Sequence, residues 1–438
     1  MYSNKRVLVS WYTDPRYIPP SVLSERQITV GPQVRPDQEQ GPFDGFTPQG
    51  RYDLFAALEA LGLPTEFDAI VVFTDATLTN FPLNLEAFDC PKVLCVGDTQ
   101  HLRNPIRKLI DYAKAARYDF IFSANNRQHL HWFIEAGFPK VAWLPGIKVR
   151  NWERPFATER TAQVCFFGRA GRYHARRAEF LAEMKRRNPF ALAVMSGKAH
   201  EAADQYASSA VSLNYSLNGD LNMRVFEIIS AGGCLLTDRL SKQSGLELLL
   251  EEGKEFVGYD GIDECVEQAR FLLHHPETAL AIARAGNAAF NARLRPEQRA
   301  QQLLDWVFKG QLDSLFEVRD FPGAEADGPA LDDRIRIYEE LQEIHRVKAD
   351  PAALVMNDIP EIHVLDALDL SHFRFAVVNE DAKPLPPKSP AVAERCVMER
   401  LDETRWDCLL VTQAESRQTS VIRRQGTAMP SQSDENTQ

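Results

Sequence analysis

A short helix predicted in the middle of the chain carries two oppositely charged residues side by side. In DLNMRVFEIISAGGCLLTDR, residues 220–239, Arg224 and Glu227 are three positions apart and are therefore neighbours on one helical turn. Apolar residues at helical spacing predict a buried face formed by Leu221, Val225, Ile228 and Ile229. The charged pair is either a surface ion pair, worth ~0.2–0.5 kcal/mol, or a pair of ligand-binding groups at a strand–helix junction.

The loop before this helix has the composition of an anion-binding loop. It contains Asn218 and Gly219, and either Asp220 or Asn222 can cap the first helical turn. Unpaired N–H groups and the helix dipole favour an anion at such a position. We expect the arginine to reach that anion and the glutamate to accept hydrogen bonds from two vicinal hydroxyls, as carboxylates do with ribose.

A second turn, FFGRAGRYHARR at residues 166–177, also leads from a predicted strand into a helix. Gly168 and Gly171 let the backbone approach a ligand closely, and the helix start favours anions. Guanidinium groups suited to phosphate oxygens follow at Arg169, Arg172 and Arg176. Residues 148–187 hold 11 Lys or Arg and 4 Glu, so a tight turn into a solvated basic helix remains an equal alternative.

A third candidate lies in the first part of the chain, where GDTQH follows a predicted strand. Asp98 and His101 are candidate catalytic residues that orient or deprotonate an acceptor hydroxyl or contact the transferred group. The alternative is that Asp98 caps the next helix and His101 is structural. The sequence has no histidine, cysteine or carboxylate cluster with metal-ligand spacing and no Asp-x-Asp motif, which favours a metal-independent reaction.

Alternating strands and helices predict the elements that position these residues. In the first part, strands are predicted at 6–11, 68–75, 92–98, 118–124 and 140–145, helices at 51–63 and 128–137, and a long loop at 32–51. In the second part, strands are predicted at 163–167, 190–196, 210–216, 234–238 and 255–260, with a helix at 172–187, the helix that carries Arg224, and two long helices between 263 and 308. Short apolar strands that alternate with helices indicate parallel sheets covered by helices on both faces. Ligands bind such sheets at the carboxyl ends of the strands.

These patterns divide the chain into four predicted segments. Two doubly wound α/β domains, residues 1–150 and 151–310, form a cleft between them, which is the expected ligand site. Residues 330–413 are expected to form a small α/β appendage with a helix at 334–347 and three strands at 353–358, 373–379 and 407–413. Residues 414–438 are polar and low in aromatics, and we predict a disordered tail there.

Composition bounds the class of protein. The net charge of −11 argues against nucleic acid as a partner. The sequence contains no run of 18 apolar residues, so it predicts no transmembrane segment. The seven cysteines are scattered without any CxxC pair, which indicates reduced thiols and a cytoplasmic location.

The order of motifs resembles a known enzyme family. NMRVFEIISAGGCLLTD, EFVGYDGIDECVEQARFLLHHPETALAIARAGNAAF and RPEQRAQQLLDWV resemble the C-terminal domain of GT-B glycosyltransferases over residues 160–308, most closely the CgeB-like spore-maturation group related to glycosyltransferase family 4. The first part resembles the family more loosely, through KVLCVGDTQH and KVAWLPG. The resemblance implies a GT-B fold of two Rossmann-like sheets facing across a cleft.

The resemblance also implies roles for particular residues. Glu227 matches the family's ribose-binding glutamate, whereas Gly219 replaces the earlier glutamate near the donor sugar. Of the family's basic pair after the first strand of this domain, Arg169 matches one member, and His174 replaces the lysine. The expected donor site therefore comprises Gly168, Arg169, Arg172, His174, Asn218, Gly219, Asn222, Arg224 and Glu227.

The implied activity is transfer of a sugar from a nucleotide-diphosphate sugar to a glycan, lipid-linked or protein acceptor, with the nucleotide-sugar as co-substrate and no other cofactor. Two alternatives remain open at this point. One is a non-catalytic binding or scaffolding protein that keeps the fold, and the other is a nucleotide-sugar epimerase that needs no acceptor.

Overall fold

The chain forms two compact units in a computed structural model. One unit comprises residues 1–321 with 366–369, and the other comprises residues 322–365 with 370–438. The structure describes residues 2, 4–99, 105–149, 152–170, 175–187, 190–216, 220–240, 244–318, 331–332, 335, 339, 354–357, 407–411 and 419–423.

The first 143 residues build a parallel sheet of seven strands. Along the chain the strands are β1 Val7–Ser10, β2 Ile28–Pro32, β3 Gly45–Thr47, β4 Gly50–Asp53, β5 Ala69–Thr74, β6 Asn80–Leu83, β7 Lys92–Val96, β8 Phe120–Ser123 and β9 Val141–Trp143. The sheet order is β3-β2-β1-β5-β7-β8-β9, and β4 pairs with β6 in a separate two-stranded ladder. All these pairs are parallel, as the apolar runs predicted for β1, β5, β7, β8 and β9; strands β2, β3, β4 and β6 were not predicted.

The helices of this first part are α1 Leu54–Ala60, α2 Pro105–Ala115 and α3 His131–Glu135, with 3-10 turns at Leu85–Ala87 and Arg127–His129. Two predictions need correction. The helix expected at 51–63 begins only at Leu54, because Asp53 caps it by accepting a hydrogen bond from the Ala56 N–H and the preceding residues form β4. The loop expected at 32–51 contains β3, whose Gly45 packs so closely on Leu61 that a Cβ would lie 2.7 Å from Leu61 Cδ1.

The second parallel sheet has five strands in the order β11-β10-β12-β13-β14. They are β10 Thr161–Phe167, β11 Leu192–Met195, β12 Ser209–Leu213, β13 Leu235–Asp238 and β14 Val257–Tyr259. The helices are α4 Ala175–Arg186, α5 Ala199–Ser208, α6 Met223–Ser230, α7 Leu246–Leu249, α8 Gly261–His274, α9 Pro276–Ala289 and α10 Pro296–Lys309, with a π-helical turn at Phe290–Leu294.

Two features of this second part differ from the expectation. Helix α5 follows β11 although the sequence analysis placed no helix there. Two long helices were expected between residues 263 and 308, but the structure has three, α8, α9 and α10. Pro276 and Pro296 each occupy a first helical position and start a new helix. Apolar residues of β10, β12, α4, α8 and α9 form the buried core of this half.

Helix α10 returns to the first sheet. Trp306 packs edge-on against Phe120 of β8, with ring centroids 4.8 Å apart, and the Tyr2 hydroxyl donates to Asp305 Oδ1 at 2.6 Å. Both sheets therefore belong to the first compact unit, and the predicted division between residues 150 and 151 lies inside that unit.

The carboxyl ends of the two sheets face each other, as expected for a GT-B architecture. The Arg169 guanidinium, after β10, lies 5.6 Å from the centroid of the Tyr17 ring in the loop that follows β1. Gly245, after β13, lies so close to Trp143 that a Cβ would come within 2.5 Å of the indole. Gly146, after β9, contacts Phe226 of α6, where a Cβ would lie 3.5 Å from the ring. The predicted pair of facing α/β sheets is confirmed.

The second compact unit contains an antiparallel sheet of β15 Leu354–Asn357, β16 Asp407–Val411 and β17 Thr419–Arg423. Strands β15 and β16 occur where the sequence predicted strands. Strand β17 lies within residues 414–438, for which we predicted a disordered tail, and its Thr, Val and Ile residues favour extended structure. The strand expected at 373–379 lies outside the described residues, as does most of the helix expected at 334–347.

Two further expectations concern reduced cysteines and membrane-spanning segments. Five cysteines are free thiols, and all but Cys90 of these five are buried: Cys90, Cys95, Cys165, Cys234 and Cys265. Among the described helices, none combines the length and the apolar character that crossing a bilayer requires.

Candidate functional site

Helix α6 begins at the carboxyl edge of the second sheet, shortly after β12. The Asn222 side chain caps it by accepting a hydrogen bond from the Arg224 N–H at 3.0 Å. The apolar face holds the helix against the sheet, with Val225, Ile228 and Ile229 fully buried. The first turn, which carries Arg224, is therefore fixed beside the ends of β10 and β12.

The Arg224 side chain joins these two strand ends. Its Nε donates to the Phe167 carbonyl at 2.9 Å, and its Nη1 donates to Asn214 Oδ1 at 2.9 Å. The guanidinium carbon lies 4.6 Å from the centroid of the Phe166 ring. The outer nitrogen Nη2 lies beside Gly168, and the buried Tyr206 hydroxyl lies close to the guanidinium. The side chain is thus held rigidly, with its outer nitrogen beside Gly168.

Gly168 leaves the space that this guanidinium occupies. A Cβ at this position would lie 2.4 Å from Arg224 Nη2 and 3.3 Å from Cζ, so any side chain there must displace the guanidinium. We expect Gly168→Ala to weaken binding of an anionic ligand about 10-fold, in proportion to the loss of one charge-assisted hydrogen bond. Calorimetric titration with a nucleoside diphosphate measures this change.

The control for this prediction is a double-mutant cycle with Arg224→Ala. If Gly168 acts through the guanidinium, Gly168→Ala adds little to the loss that Arg224→Ala already causes. Two fully additive losses would mean that the alanine methyl disturbs something other than Arg224.

A second arginine, Arg177 of α4, lies next to Arg224 and was missed in the sequence analysis. Its Nη1 donates to the Arg169 carbonyl at 3.1 Å and its Nη2 to the Tyr215 carbonyl at 3.2 Å, while Nε has no hydrogen-bond partner among the described residues. Burial and then the positive charge of Arg224 lower the pKa of Arg177 to about 10. Two mutually repelling guanidiniums therefore occupy the edge of the sheet.

The sequence does contain a signal for Arg177. It falls in register with Phe180, Leu181 and Met184, the spacing of the buried face of α4, and only 8% of it is exposed. Arginine side chains are almost never fully buried unless they are paired, so an arginine at a core-facing helical position indicates a binding or structural role. The neighbouring Arg169, Arg172 and Arg176 follow the turn closely in sequence, whereas only the helical phase of Arg177 distinguishes it.

Glu227 lies one turn after Arg224, near the side chains of Arg224 and Tyr206. Burial raises the pKa of its carboxyl group to about 7, and the attraction of Arg224 opposes this shift without cancelling it. No ion pair within 4 Å joins Glu227 to Arg224, and the carboxylate accepts no hydrogen bond from the residues that the structure describes. The surface ion pair considered from the sequence is therefore not formed, and the carboxylate has capacity for hydroxyl donors.

The structure brings five of the expected donor-site residues to one edge of the second sheet: Gly168, Arg169, Asn222, Arg224 and Glu227. Arg169 is exposed, and its guanidinium lies against Tyr17 and not beside Arg224. Five further expected residues lie outside the described part of the chain: His101, Arg172, His174, Asn218 and Gly219.

Asp98, the other expected catalytic residue, is half-buried after β7 on the edge of the first sheet. It lies near Asp75, which follows the neighbouring strand β5. Burial raises the pKa of the Asp75 carboxyl group, and the negative charge of Asp98 adds to this effect, although hydrogen bonds from Thr77 oppose it. Among the described residues, no group of three or more His, Cys, Asp and Glu side chains could hold a metal ion.

Comparison with known proteins defines the class. Residues 176–305 match the model of a family described as glycosyl transferase-like, and the matched segment contains Arg177, Arg224 and Glu227. This agrees with the resemblance seen over residues 160–308 and confirms the prediction that the chain is a glycosyltransferase.

Several solved structures are similar at low identity. The Anabaena protein Alr3699/HepE, solved in complex with UDP-glucose, has a TM-score of 0.49 and 13% identity, covering 69% of this chain and 98% of its own. A sucrose-phosphate synthase from Thermosynechococcus elongatus has a TM-score of 0.49 and 10% identity, covering 70% of this chain and 99% of its own. No curated protein matches the sequence. Residue roles therefore follow from the geometry of this chain.

Proposed function

We propose that the protein transfers a sugar from a nucleoside-diphosphate sugar, with Arg177 and Arg224 receiving the diphosphate and Glu227 the ribose. One observation carries this proposal: the two guanidiniums lie together at the ends of β10 and β12, and no carboxylate of the described residues lies within 4 Å of either. Adjacent positive charges that are partly removed from water are costly. Asp220 and Asp238 offset part of this charge, since both raise the pKa of Arg177. A diphosphate adds further negative charge and accepts the remaining N–H groups.

The same groups suit the chemical step. Transfer breaks the bond between the sugar C1 and the diphosphate oxygen and forms a bond between C1 and an acceptor hydroxyl oxygen. Negative charge grows on the departing diphosphate as its bond breaks, and the hydroxyl proton of the acceptor passes to that diphosphate. Arg224 stabilises that charge from a position already fixed by Phe167 and Asn214, and therefore without reorganisation cost. The ionised Glu227 accepts hydrogen bonds from the two ribose hydroxyls and sets the register of the nucleotide.

We further propose that these arginines provide the positive charge that a divalent metal supplies in other enzymes, so that the reaction is metal-independent. The acceptor in this proposal is held by the first sheet and is a glycan, a lipid-linked sugar or a protein. Within the glycosyltransferases, we propose that the protein belongs to the CgeB-like group, because the sequence of α6 and β13 resembles that group. Free buried thiols fit a cytoplasmic location.

The experiment that tests this function screens the purified chain against UDP, GDP, ADP, TDP and their sugars, with and without EDTA. We expect one base to raise the melting temperature, since ligands that bind only the folded state stabilise it. Its sugar conjugate should then release nucleoside diphosphate, and EDTA should leave the rate unchanged.

Other outcomes would contradict parts of the proposal. If no nucleotide shifts the melting temperature, the nucleotide-sugar site is wrong. Binding without release of diphosphate would support the non-catalytic alternative, and a modified nucleotide-sugar as product would support an epimerase. If EDTA stops turnover and Mg²⁺ or Mn²⁺ restores it, metal independence is wrong.

A further inference from the structure

Two buried polar residues at the carboxyl end of β13 lie beside the donor site without belonging to it. Thr237 is fully buried, and Asp238 is 4% exposed. A buried carboxylate is costly unless hydrogen bonds or opposite charges compensate it. The groups that compensate Asp238 lead to Arg224 and to Arg177 along two separate hydrogen-bond paths.

The first hydrogen-bond path runs from Asp238 to Arg224. The Thr237 hydroxyl lies 3.2 Å from Asp238 Oδ1 and 3.4 Å from the Asp238 carbonyl, so it donates to this residue. Thr237 Oγ1 in turn accepts a hydrogen bond from Asn214 Nδ2 at 2.9 Å. Asn214 Oδ1 accepts from Arg224 Nη1, also at 2.9 Å. Each donor along this path therefore faces an acceptor.

The direction of this path decides which way the Asn214 amide faces. Because the Thr237 proton is donated to Asp238, the hydroxyl oxygen must accept, and only the Nδ2 side of the amide can donate to it. The Oδ1 side is thereby turned toward Arg224. In the opposite orientation the amide N–H groups would face the guanidinium N–H groups. Asn214 is fully buried, so its amide cannot be satisfied by bulk water instead.

The second hydrogen-bond path runs from Asp238 to Arg177. The two carboxylate oxygens accept from the Ser216 backbone N–H at 3.0 and 3.1 Å, and Oδ2 also accepts from the Ser216 hydroxyl. Ser216 follows Tyr215, whose carbonyl accepts from Arg177 Nη2 at 3.2 Å. Asp238 therefore fixes the peptide segment that holds Arg177, at the point where the polypeptide leaves β12 toward α6.

Asp238 also places negative charge near the guanidiniums. Its charge raises the pKa of Arg177, although burial and the charge of Arg224 act more strongly and lower that pKa overall. Two like charges held together repel each other, and a nearby opposite charge reduces that cost. The carboxylate therefore helps to keep both arginines in place before a ligand arrives.

We propose that Asp238 and Thr237 are positioning residues, which hold Arg224 and Arg177 in the orientation that a diphosphate requires. In this proposal neither side chain contacts the ligand, and each acts through Asn214 or through the peptide of Ser216. Preorganised donors bind more tightly than mobile ones because they need no reordering when the ligand arrives. The inference rests on the proposed function for the identity of the ligand, and on the two hydrogen-bond paths for the positioning.

The first test is calorimetric titration of the full-length protein with UDP, GDP, ADP and TDP. Thr237→Val keeps the shape of the side chain but removes the hydroxyl, so it interrupts the first path alone. We expect it to weaken nucleoside diphosphate binding about 10-fold, whereas Thr237→Ser, which keeps the hydroxyl, should bind within about two-fold of the wild type. Asp238→Asn interrupts both paths, because an amide N–H then faces other donors, and should weaken binding about 100-fold.

Two controls separate positioning from general damage to the sheet. Ser212→Ala removes another fully buried hydroxyl of the same sheet, one that contacts Cys165, and should leave the affinity unchanged. In the Arg224→Ala background, Thr237→Val should cause little further loss, because its effect passes through the guanidinium. Equal losses with and without Arg224, equal losses from Thr237→Ser and Thr237→Val, or wild-type affinity of a folded Thr237→Val would overturn the proposal. Melting temperatures show which variants fold, and Thr237→Val decides if Asp238→Asn does not.

A second measurement, without nucleotide, distinguishes this inference from the proposed function. In protein containing ¹⁵N-labelled arginine, the Arg224 Nε–H signal is identified by its absence from Arg224→Ala, and its hydrogen exchange reports how firmly the guanidinium is held. We expect exchange about 10-fold faster in Thr237→Val and unchanged in Ser212→Ala. If exchange accelerates in this way while no nucleotide binds the wild type, the proposed function fails and the positioning stands. If a nucleotide binds but Thr237→Val leaves the exchange unchanged, the positioning fails and the proposed function stands.

Discussion

Arg224→Ala should lower kcat/KM for the nucleotide-sugar by about 10²–10³-fold, as loss of one preorganised donor to a developing oxyanion does elsewhere. Two effects combine in this variant. The outer nitrogen no longer contacts the diphosphate, and the strand ends at Phe167 and Asn214 lose the side chain that joins them. Affinity for the nucleoside diphosphate should fall by about 10–100-fold, the range for hydrogen bonds to charged groups. Steady-state release of nucleoside diphosphate and calorimetric titration measure the two quantities.

Two further variants make this result specific. Arg224→Lys keeps a positive charge but cannot donate to Phe167 and Asn214 at once, so we expect an intermediate loss. Arg270→Ala removes an exposed arginine of α8 and should leave both quantities unchanged. If Arg224→Ala is folded and its kcat/KM stays within about two-fold of the wild type, Arg224 does not contact the reacting group.

Glu227→Gln should make the ligand-free protein more stable at neutral and alkaline pH while weakening nucleotide binding. Burial raises the pKa of Glu227 from 4.5 to about 7. The folded state therefore binds more protons than the unfolded state between these two values, and the free energy of unfolding falls as the pH rises through this window. At ~1.4 kcal/mol per pKa unit, the carboxylate costs about 3 kcal/mol above pH 7, and glutamine removes that cost.

Urea unfolding at about pH 5 and about pH 8 measures the stability change. The wild type should lose more stability between these pH values than Glu227→Gln does. In the wild type, nucleotide affinity should increase over the same range as the carboxylate ionises, whereas the variant should bind weakly at every pH. Glu267→Gln, an exposed glutamate of α8, is the control. A Glu227→Gln variant with the wild-type pH dependence of both quantities would show that Glu227 is neither buried nor bound to the nucleotide.

Much of the fold could be predicted because local sequence patterns specify it. Continuous apolar runs predicted β1, β5, β7, β8 and β9 of the first sheet and all five strands of the second, whereas β2 and β3 were not predicted. The errors occurred where a second local preference outweighed the apolar periodicity. Pro276 and Pro296 divide what reads as two helices into three, and Arg51–Asp53 extend as β4 although they adjoin a helical pattern.

The candidate site could be predicted only in part, because sequence spacing reports neighbours along the chain and not across strands. Arg224 and Glu227 stood out from their positions on α6. The partners of Arg224 are a backbone carbonyl 57 residues away and an amide 10 residues away, which no spacing rule reveals. Asp75 follows its strand in the same way as Asp98, but their proximity appears only when β5 and β7 are seen side by side.

A crystal structure of the protein with the nucleoside diphosphate selected by the thermal screen would test the diphosphate site most directly. We expect diphosphate oxygens to accept hydrogen bonds from Arg224 Nη2 and to lie beside Arg177, and the ribose hydroxyls to donate to Glu227. A nucleotide bound elsewhere, or a diphosphate at this edge of the sheet that touches neither arginine, would contradict this expectation.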